Sequence, residues 1–258
     1  MKKINQPFNA YADYYDSFYQ DKDYVGETKF ILNVLKNFSK DKGKEILSLG
    51  CGTGTYEILL SQAGYQLVGV DFSDKMLSIA KEKAGQAGAK IKFFKGDVRK
   101  FTTPQKFSHV LALFNIIGYQ NSDLDLENFI KTAGRHLKPG GLFMFDGWYQ
   151  PAILKDRPQN RRKIIKLANG RRLERITTQT LNIEKSLLQI TFQLKELGAS
   201  RKIIEVKEEH PMRFFTLNEI AYFLTKNGFQ LIKSCRFKHL QEAISEDYWD
   251  IFVIAKKI

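Results

Sequence analysis

Cysteine and histidine are scarce in this 258-residue chain, at two and four residues. Cys51 and Cys235 lie far apart, and no Cys or His spacing suits zinc, so neither a disulfide framework nor a metal site is expected. Nothing approaches the roughly 18 to 20 uninterrupted apolar residues of a spanning helix. The opening Met1-Lys2-Lys3-Ile4-Asn5-Gln6-Pro7 lacks both an apolar core and a small-residue cleavage site, so no secretory signal is expected. Together these absences imply a soluble, cytoplasmic protein with no membrane partner. Acidic residues are also in deficit, 28 against 41 Lys and Arg, for a net charge of +13.

That charge is uneven. From Lys155 to Arg175 there are nine Lys/Arg against only Asp156 and Glu174. Such a segment suits an anionic partner, with a solvated basic face as the plain alternative.

A hydrophobic content of 43% allows a large core. The spacing of aromatic and apolar residues from Phe8 to Phe38 predicts two helices broken near Asp21 to Tyr24, a cap over residues 1–40. Over residues 41–150, short apolar runs alternate with amphipathic segments: Glu45 to Leu49 then Tyr56 to Ala63, Gln66 to Val70 then Asp74 to Lys83, Ile91 to Lys95, and His109 to Phe114 then Asp123 to Leu137. This alternation is the pattern of βαβ units in a parallel sheet, and the predicted class is α/β, Rossmann-like, with helices on both faces. Lys138-Pro139-Gly140-Gly141 reads as a turn releasing a strand at Leu142 to Phe145. Residues 151–213 read as a mostly antiparallel β insertion, with strands at Ile164 to Leu167, Arg172 to Asn182, Leu187 to Leu197 and Lys202 to Glu209, and a hairpin signal at Asn169-Gly170. Residues 214–258 close the core with a helix opened by a capping box at Thr216 and Glu219, then strands at Phe229 to Arg236 and Tyr248 to Ala255. The whole is expected to be a single domain, and the insertion is a candidate surface for a homodimer.

The first strand runs straight into Gly50-Cys51-Gly52-Thr53-Gly54 and then a helix, a geometry that lets a nucleotide approach bare backbone. A dinucleotide fingerprint would need glycine at position 55 or 57, where Thr55 and Glu57 stand. Asp71 ends the second strand, where its carboxylate can accept from ribose hydroxyls; Asp97 ends the third and can accept from an exocyclic adenine amine, with Val98 flanking the ring. Phe114 ends the fourth, where it can lie near the adenine or a methionine part of such a ligand. All lie at the carboxyl ends of successive strands, where open α/β sheets bind ligands. Taken singly, each is more readily a turn or a helix cap.

Leu47 to Thr55, Val68-Gly69-Val70-Asp71-Phe72-Ser73-Asp74-Lys75-Met76-Leu77, Gly96-Asp97-Val98 and Leu137-Lys138-Pro139-Gly140-Gly141 together resemble class I S-adenosylmethionine-dependent methyltransferases. The resemblance implies S-adenosylmethionine as cofactor, held by Gly50, Cys51, Gly52, Gly54, Asp71, Phe72, Met76, Asp97, Val98 and Phe114. Ser48 departs from it, because many members carry there an acid that meets the cofactor's ammonium end. A narrower resemblance, to N,N-dimethyltransferases of nucleotide-linked amino sugars, rests on Tyr15 to Tyr19 with Lys22-Asp23-Tyr24, on Ile117-Gly118-Tyr119, on Gly147-Trp148-Tyr149-Gln150-Pro151, and on the β insertion ending in His210. It implies that Tyr19 and Tyr24 cap the cofactor, and that the partner is a small-molecule substrate such as a nucleotide sugar. Gly147 and Gln150 depart from that pattern, which expects a proline and a second aromatic nearby.

Methyl transfer from an activated sulfonium needs chiefly alignment and dryness. His109 lies at the wrong edge to be a base, which favours a nitrogen acceptor over a hydroxyl. Tyr19 and Tyr119 are the candidates for orienting it, Trp148, Tyr149 and His210 for contacting the substrate, and Arg161, Arg162, Arg171 and Arg172 for its diphosphate. For each of Trp148, Tyr149 and His210 a structural role is equally open. Other readings are a methyltransferase for another small amine or hydroxyl, an RNA methyltransferase, and a non-catalytic protein of the same fold. Against nucleic acid stand the lack of an appended RNA-binding module and the sequence Phe114-Asn115-Ile116-Ile117, where an Asn/Asp-Pro-Pro-aromatic tetrad would be needed.

Overall fold

A computed structural model describes residues 8, 11–39, 43–167, 170–197 and 206–258. The opening Met1 to Pro7, Asn169 of the hairpin signal and the start of the strand expected from Lys202 lie outside the described residues.

Two helices, α1 (Ala12–Phe18) and α2 (Tyr24–Phe38), precede the sheet, and Asp23 caps the second by accepting from Gly26 N–H at 2.9 Å. The chain then alternates β1 (Glu45–Leu49), α3 (Thr55–Gln62), β2 (Gln66–Asp71), α4 (Asp74–Gln86), β3 (Lys92–Lys95), β4 (Phe107–Ala112), a 3-10 turn (Ile116–Tyr119), α5 (Asp123–His136) and β5 (Leu137–Trp148). Every residue of β4 is buried, as a parallel strand covered on both faces must be. After α6 (Gln150–Lys155), β6 (Arg161–Lys166), β7 (Arg172–Asn182), β8 (Leu187–Leu197) and β9 (Val206–Arg213) pair antiparallel as a separate sheet. α7 (Leu217–Lys226), β10 (Phe229–Arg236) and β11 (Asp250–Lys257) rejoin the main sheet.

The main sheet has the order β10-β11-β5-β4-β1-β2-β3, with β11 alone running opposite to the other strands. Strand order reverses between β1 and β4, so their carboxyl ends open a crevice where a ligand can enter. The glycine turn leaves one strand of that pair and Phe114 follows the other.

Boundaries differ from expectation in instructive places. Lys138 to Gly141 do not precede the fifth strand but form an irregularity inside it: pairing jumps from Phe107↔Leu137 to His109↔Leu142, with Gly140 at φ +75°. A side chain on Gly141 would come within 2.8 Å of the Ser108 carbonyl, so the sequence that signals a turn instead permits a bulge. His210 lies within β9 rather than at the end of the insertion. The Thr216 cap forms, accepting from Glu219 N–H at 3.2 Å, but the Glu219 carboxylate bonds Arg213 rather than completing the box.

Candidate functional site

At the crevice the three turn glycines all have positive φ: Gly50 +78°, Gly52 +53° and Gly54 +76°. At Gly50 the requirement is steric as well, since a Cβ would stand 2.4 Å from Ile116 Cδ1. At Gly52 a Cβ would meet nothing within 4 Å, because bare backbone there borders a cavity of 330 Å³. That volume falls at the lower end of small-molecule sites, which run from roughly 300 to 1,000 Å³.

Asp71 fixes the turn. Its Oδ2 accepts from Gly52 N–H and its Oδ1 from Ser73 N–H, both at 2.9 Å. Burial raises its pKa. Each oxygen keeps a lone pair for a hydroxyl donor from the cavity. Ser73 in turn caps α4 and donates to the Phe8 carbonyl at 2.7 Å, tying the N-terminal segment to the site.

The opposite wall follows β4, where Phe114 and Asn115 stand consecutively in the left-handed region at φ +68° and +56°. Non-glycine residues there cost on the order of 1 kcal/mol each. The compensation is Asp146 on β5, whose two oxygens accept from Phe114 N–H at 2.6 Å and Asn115 N–H at 2.8 Å. Burial pushes the Asp146 carboxyl up to about 7. The Asn115 amide is buried with neither its oxygen nor its nitrogen bonded within the protein.

The aromatic residues of the N-terminal segment line the cavity. Phe8 and Tyr11 N–H donate to the buried Glu208 carboxylate at 2.8 and 3.0 Å. Tyr19 meets the Phe114 ring edge-on at 5.0 Å between centroids, and Tyr15 packs against both. Below, Lys22 bonds Glu27 at 2.6 Å, and Tyr56 donates to the other Glu27 oxygen. The insertion supplies the last side through β8 and β9, where His210 Nδ1 lies 2.9 Å from the Tyr119 hydroxyl.

Of the residues singled out from the sequence, Tyr19, Tyr24, Gly50, Cys51, Gly52, Asp71, Phe72, Met76, Val98, Phe114, Tyr119, Trp148 and His210 all border this one cavity. Gly54 does not; it starts α3 and packs toward Ala80. Asp97 does not either, because Arg99 grips it with its backbone N–H, Nε and Nη2, which also holds its pKa below the ordinary carboxylate value. Tyr149 follows Trp148 and so points to the other side of the chain, against the main core. None of the four arginines borders the cavity: Arg162 pairs with Glu174, Arg171 with Glu196, and Arg161 and Arg172 are exposed. The arginine that does meet the aromatic cap is Arg175, stacked against Phe18, Tyr19 and Phe192 at 4.9 to 5.3 Å.

Sequence reasoning missed Lys22, Glu27, Glu57, Asn115, Asp146 and Asp250, which also border the cavity. Asp146 carried a visible signal, as a lone acid within the apolar strand Leu142-Phe143-Met144-Phe145, and Lys22 stood within the motif Lys22-Asp23-Tyr24.

S-adenosylmethionine fits these surroundings. Asp71 can accept from its ribose hydroxyls, Gly52 offers bare backbone, and the unpartnered Asn115 amide offers a donor and an acceptor.

Comparison with known proteins gives the same answer independently. Residues 46–141 match the methyltransferase domain. The chain is 29% identical over 57% of its length to a dTDP-3-amino-3,4,6-trideoxy-alpha-D-glucopyranose N,N-dimethyltransferase of Streptomyces venezuelae, a match that spans 60% of that enzyme. It is 24% identical over 84% of its length to a dTDP-3-amino-3,6-dideoxy-alpha-D-glucopyranose N,N-dimethyltransferase of Streptomyces fradiae, covering 82% of that protein. A crystal structure of an S-adenosylmethionine-dependent methyltransferase from Clostridium acetobutylicum superposes with a TM-score of 0.80 at 20% identity, over 97% of this chain and 98% of that one. Residues 46–141 thus carry a methyltransferase domain that contains the glycine turn, β2 and β4, and the likeness of fold runs along the whole chain.

Proposed function

We propose that the chain methylates the amine of a nucleotide-linked amino sugar. The observation that carries this reading is the Tyr119 hydroxyl, which borders the cavity with His210 Nδ1 2.9 Å behind it and the Glu208 carboxylate 3.6 Å from His210 Nε2. When bound, the cofactor supplies an already activated methyl carbon, so the chain's own task is to align an unprotonated nitrogen and exclude water.

The aromatic surroundings of Phe8, Tyr15, Tyr19 and Phe114 do the second. They also favour the neutral form of an entering amine, because charge is costly where water is thin. Burial holds the Tyr119 phenol protonated, well above its ordinary pKa. With the His210 proton on Nε2, facing Glu208, the Tyr119 O–H donates to Nδ1, and its oxygen lone pair accepts an N–H from the substrate amine. Once the nitrogen is methylated and cationic, its proton leaves by the same path, to Tyr119 oxygen as the phenol proton passes to His210 Nδ1. Glu208 beside the imidazole stabilises the charge it gains.

The acceptor class is supported by the two Streptomyces relatives named for amino-sugar nucleotides. Trp148 on the cavity wall offers a flat face to a sugar or base. The test is methyl transfer from S-adenosylmethionine to dTDP-linked amino sugars, simple primary amines and dTDP-sugars bearing only hydroxyls, followed by mass spectrometry. The amino-sugar nucleotide should be preferred by at least about 100-fold in kcat/KM. Turnover confined to simple amines or to hydroxyls would overturn the reading.

A further inference from the structure

Ser48 on β1 and Glu57 on α3 meet because the glycine turn brings the first turn of α3 back across the end of the strand. Ser48 Oγ donates to Glu57 Oε1 at 2.6 Å, and each residue is only 2% exposed. Glu57 Oε2 is buried with no hydrogen-bond partner, and both residues border the cavity. An orphaned buried acceptor costs about 1 to 3 kcal/mol, more when charged, so the arrangement is incomplete without a donor from the cavity side. The neighbouring carboxylates are already supplied: Glu27 by Lys22 and Tyr56, Asp71 by the N–H groups of Gly52 and Ser73, Asp146 by those of Phe114 and Asn115.

We infer that Glu57, positioned by Ser48, receives the α-ammonium of S-adenosylmethionine. An ammonium brings three donors and a positive charge, and Glu57 presents a bare oxygen on a side chain whose other oxygen is locked. Ser48 supplies no charge itself. It is a positioning residue, fixing the rotamer of a carboxylate that enters from the following helix rather than from the strand. The assignment rests on the cofactor and is independent of which acceptor is methylated.

Calorimetry on the full chain tests it with two probes: S-adenosylhomocysteine, and its desamino analogue, in which hydrogen replaces the α-ammonium. The wild type should bind the parent about tenfold to a hundredfold more tightly than the analogue. Glu57→Gln should lose most of that preference by weakening the parent alone, with the analogue held to within twofold of wild type. Ser48→Ala should narrow the preference less, again without affecting the analogue. Equal affinity of the wild type for both probes overturns the assignment, and does so even where Glu57→Gln fails to fold. Equal loss of both probes in Glu57→Gln also overturns it, since that is a structural effect. A wild type that binds neither probe would refute the cofactor reading itself, a result distinct from these.

Discussion

The cavity and the basic segment are opposites in charge. The cavity borders Glu27, Glu57, Asp71, Asp146 and Asp250, with Lys22 as its one lysine or arginine among the described residues. The segment from Lys155 to Arg175 is the most basic stretch of a chain of net charge +13, yet four of its nine Lys and Arg meet acids: Lys155 meets Glu246 and Asp247, Lys163 meets Asp21, Arg162 meets Glu174, Arg171 meets Glu196. Part of a run of charge that dominates the sequence is therefore absorbed by surface pairing, worth little each. Acids scattered singly along the sequence converge on the interior, where low dielectric makes each count. A cavity of that sign suits a cofactor carrying a sulfonium and an ammonium, and an amine that becomes cationic on reaction.

The comparison is broken most forcefully at Asp146. Asp146→Ala orphans the buried N–H of Asn115 and the half-buried N–H of Phe114, two residues in the left-handed region. It should cost about 3 to 5 kcal/mol in urea unfolding and abolish measurable S-adenosylhomocysteine binding. Wild-type affinity in that variant would show that the acid is not what holds the β4 end in shape.

Glu57 sharpens the contrast through pH. Burial, with a smaller contribution from Asp71 and opposed by Ser48 and Lys83, pushes its carboxyl up to about 7 from an ordinary 4.5. A folded pKa raised above the unfolded one stabilises the protonated state: the contribution is complete below about pH 4.5 and is lost as pH rises through about 7. Wild-type stability should therefore fall relative to Glu57→Gln between pH 5 and 8, by about 2 to 3 kcal/mol at most. Asp146 titrates alike in both proteins and cancels. Parallel pH profiles would mean that Glu57 is not desolvated despite its burial.

Tyr119→Phe removes the hydroxyl but leaves the ring among Phe8 and His210. It should lower kcat by about tenfold or more with little change in cofactor affinity. A change in KM alone would assign the hydroxyl to substrate binding rather than to proton movement.

How much of this was legible follows from range. The α/β alternation, the strands Glu45 to Leu49 and Phe229 to Arg236, and the hairpin strands Arg172 to Asn182 and Leu187 to Leu197 were readable to the residue, because periodicity and turn chemistry are local. Asp71 was readable as a strand-terminal acid. Asp97 carried the same signal, but Arg99 two residues on turns it away from the cavity, a contact that no strand-end rule contains. Tyr149, named beside Trp148 as a substrate contact or a core residue, packs on the core, because one position along an extended chain is a change of face. Glu57 was read only as a missing glycine. Its meeting with Ser48 depends on how α3 leaves the turn, and its meeting with Asp71 on a neighbouring strand. The acidic interior was invisible for the same reason, since Glu27 and Asp250 come from opposite ends of the chain.

The smallest expected effect decides whether the basic segment belongs to the substrate site at all. Arg161 and Arg172 are exposed on β6 and β7, while β8 and β9 stand between those strands and the cavity. Reversing both charges, Arg161→Glu with Arg172→Glu, should change stability by no more than about 0.5 kcal/mol and KM for an amino-sugar nucleotide by less than about threefold. A guanidinium gripping a diphosphate would contribute far more, because charge-assisted bidentate contacts are among the strongest polar ones. A KM raised tenfold or more, with cofactor affinity unchanged, would therefore bring the phosphates to the insertion surface and make the two oppositely charged regions parts of one site.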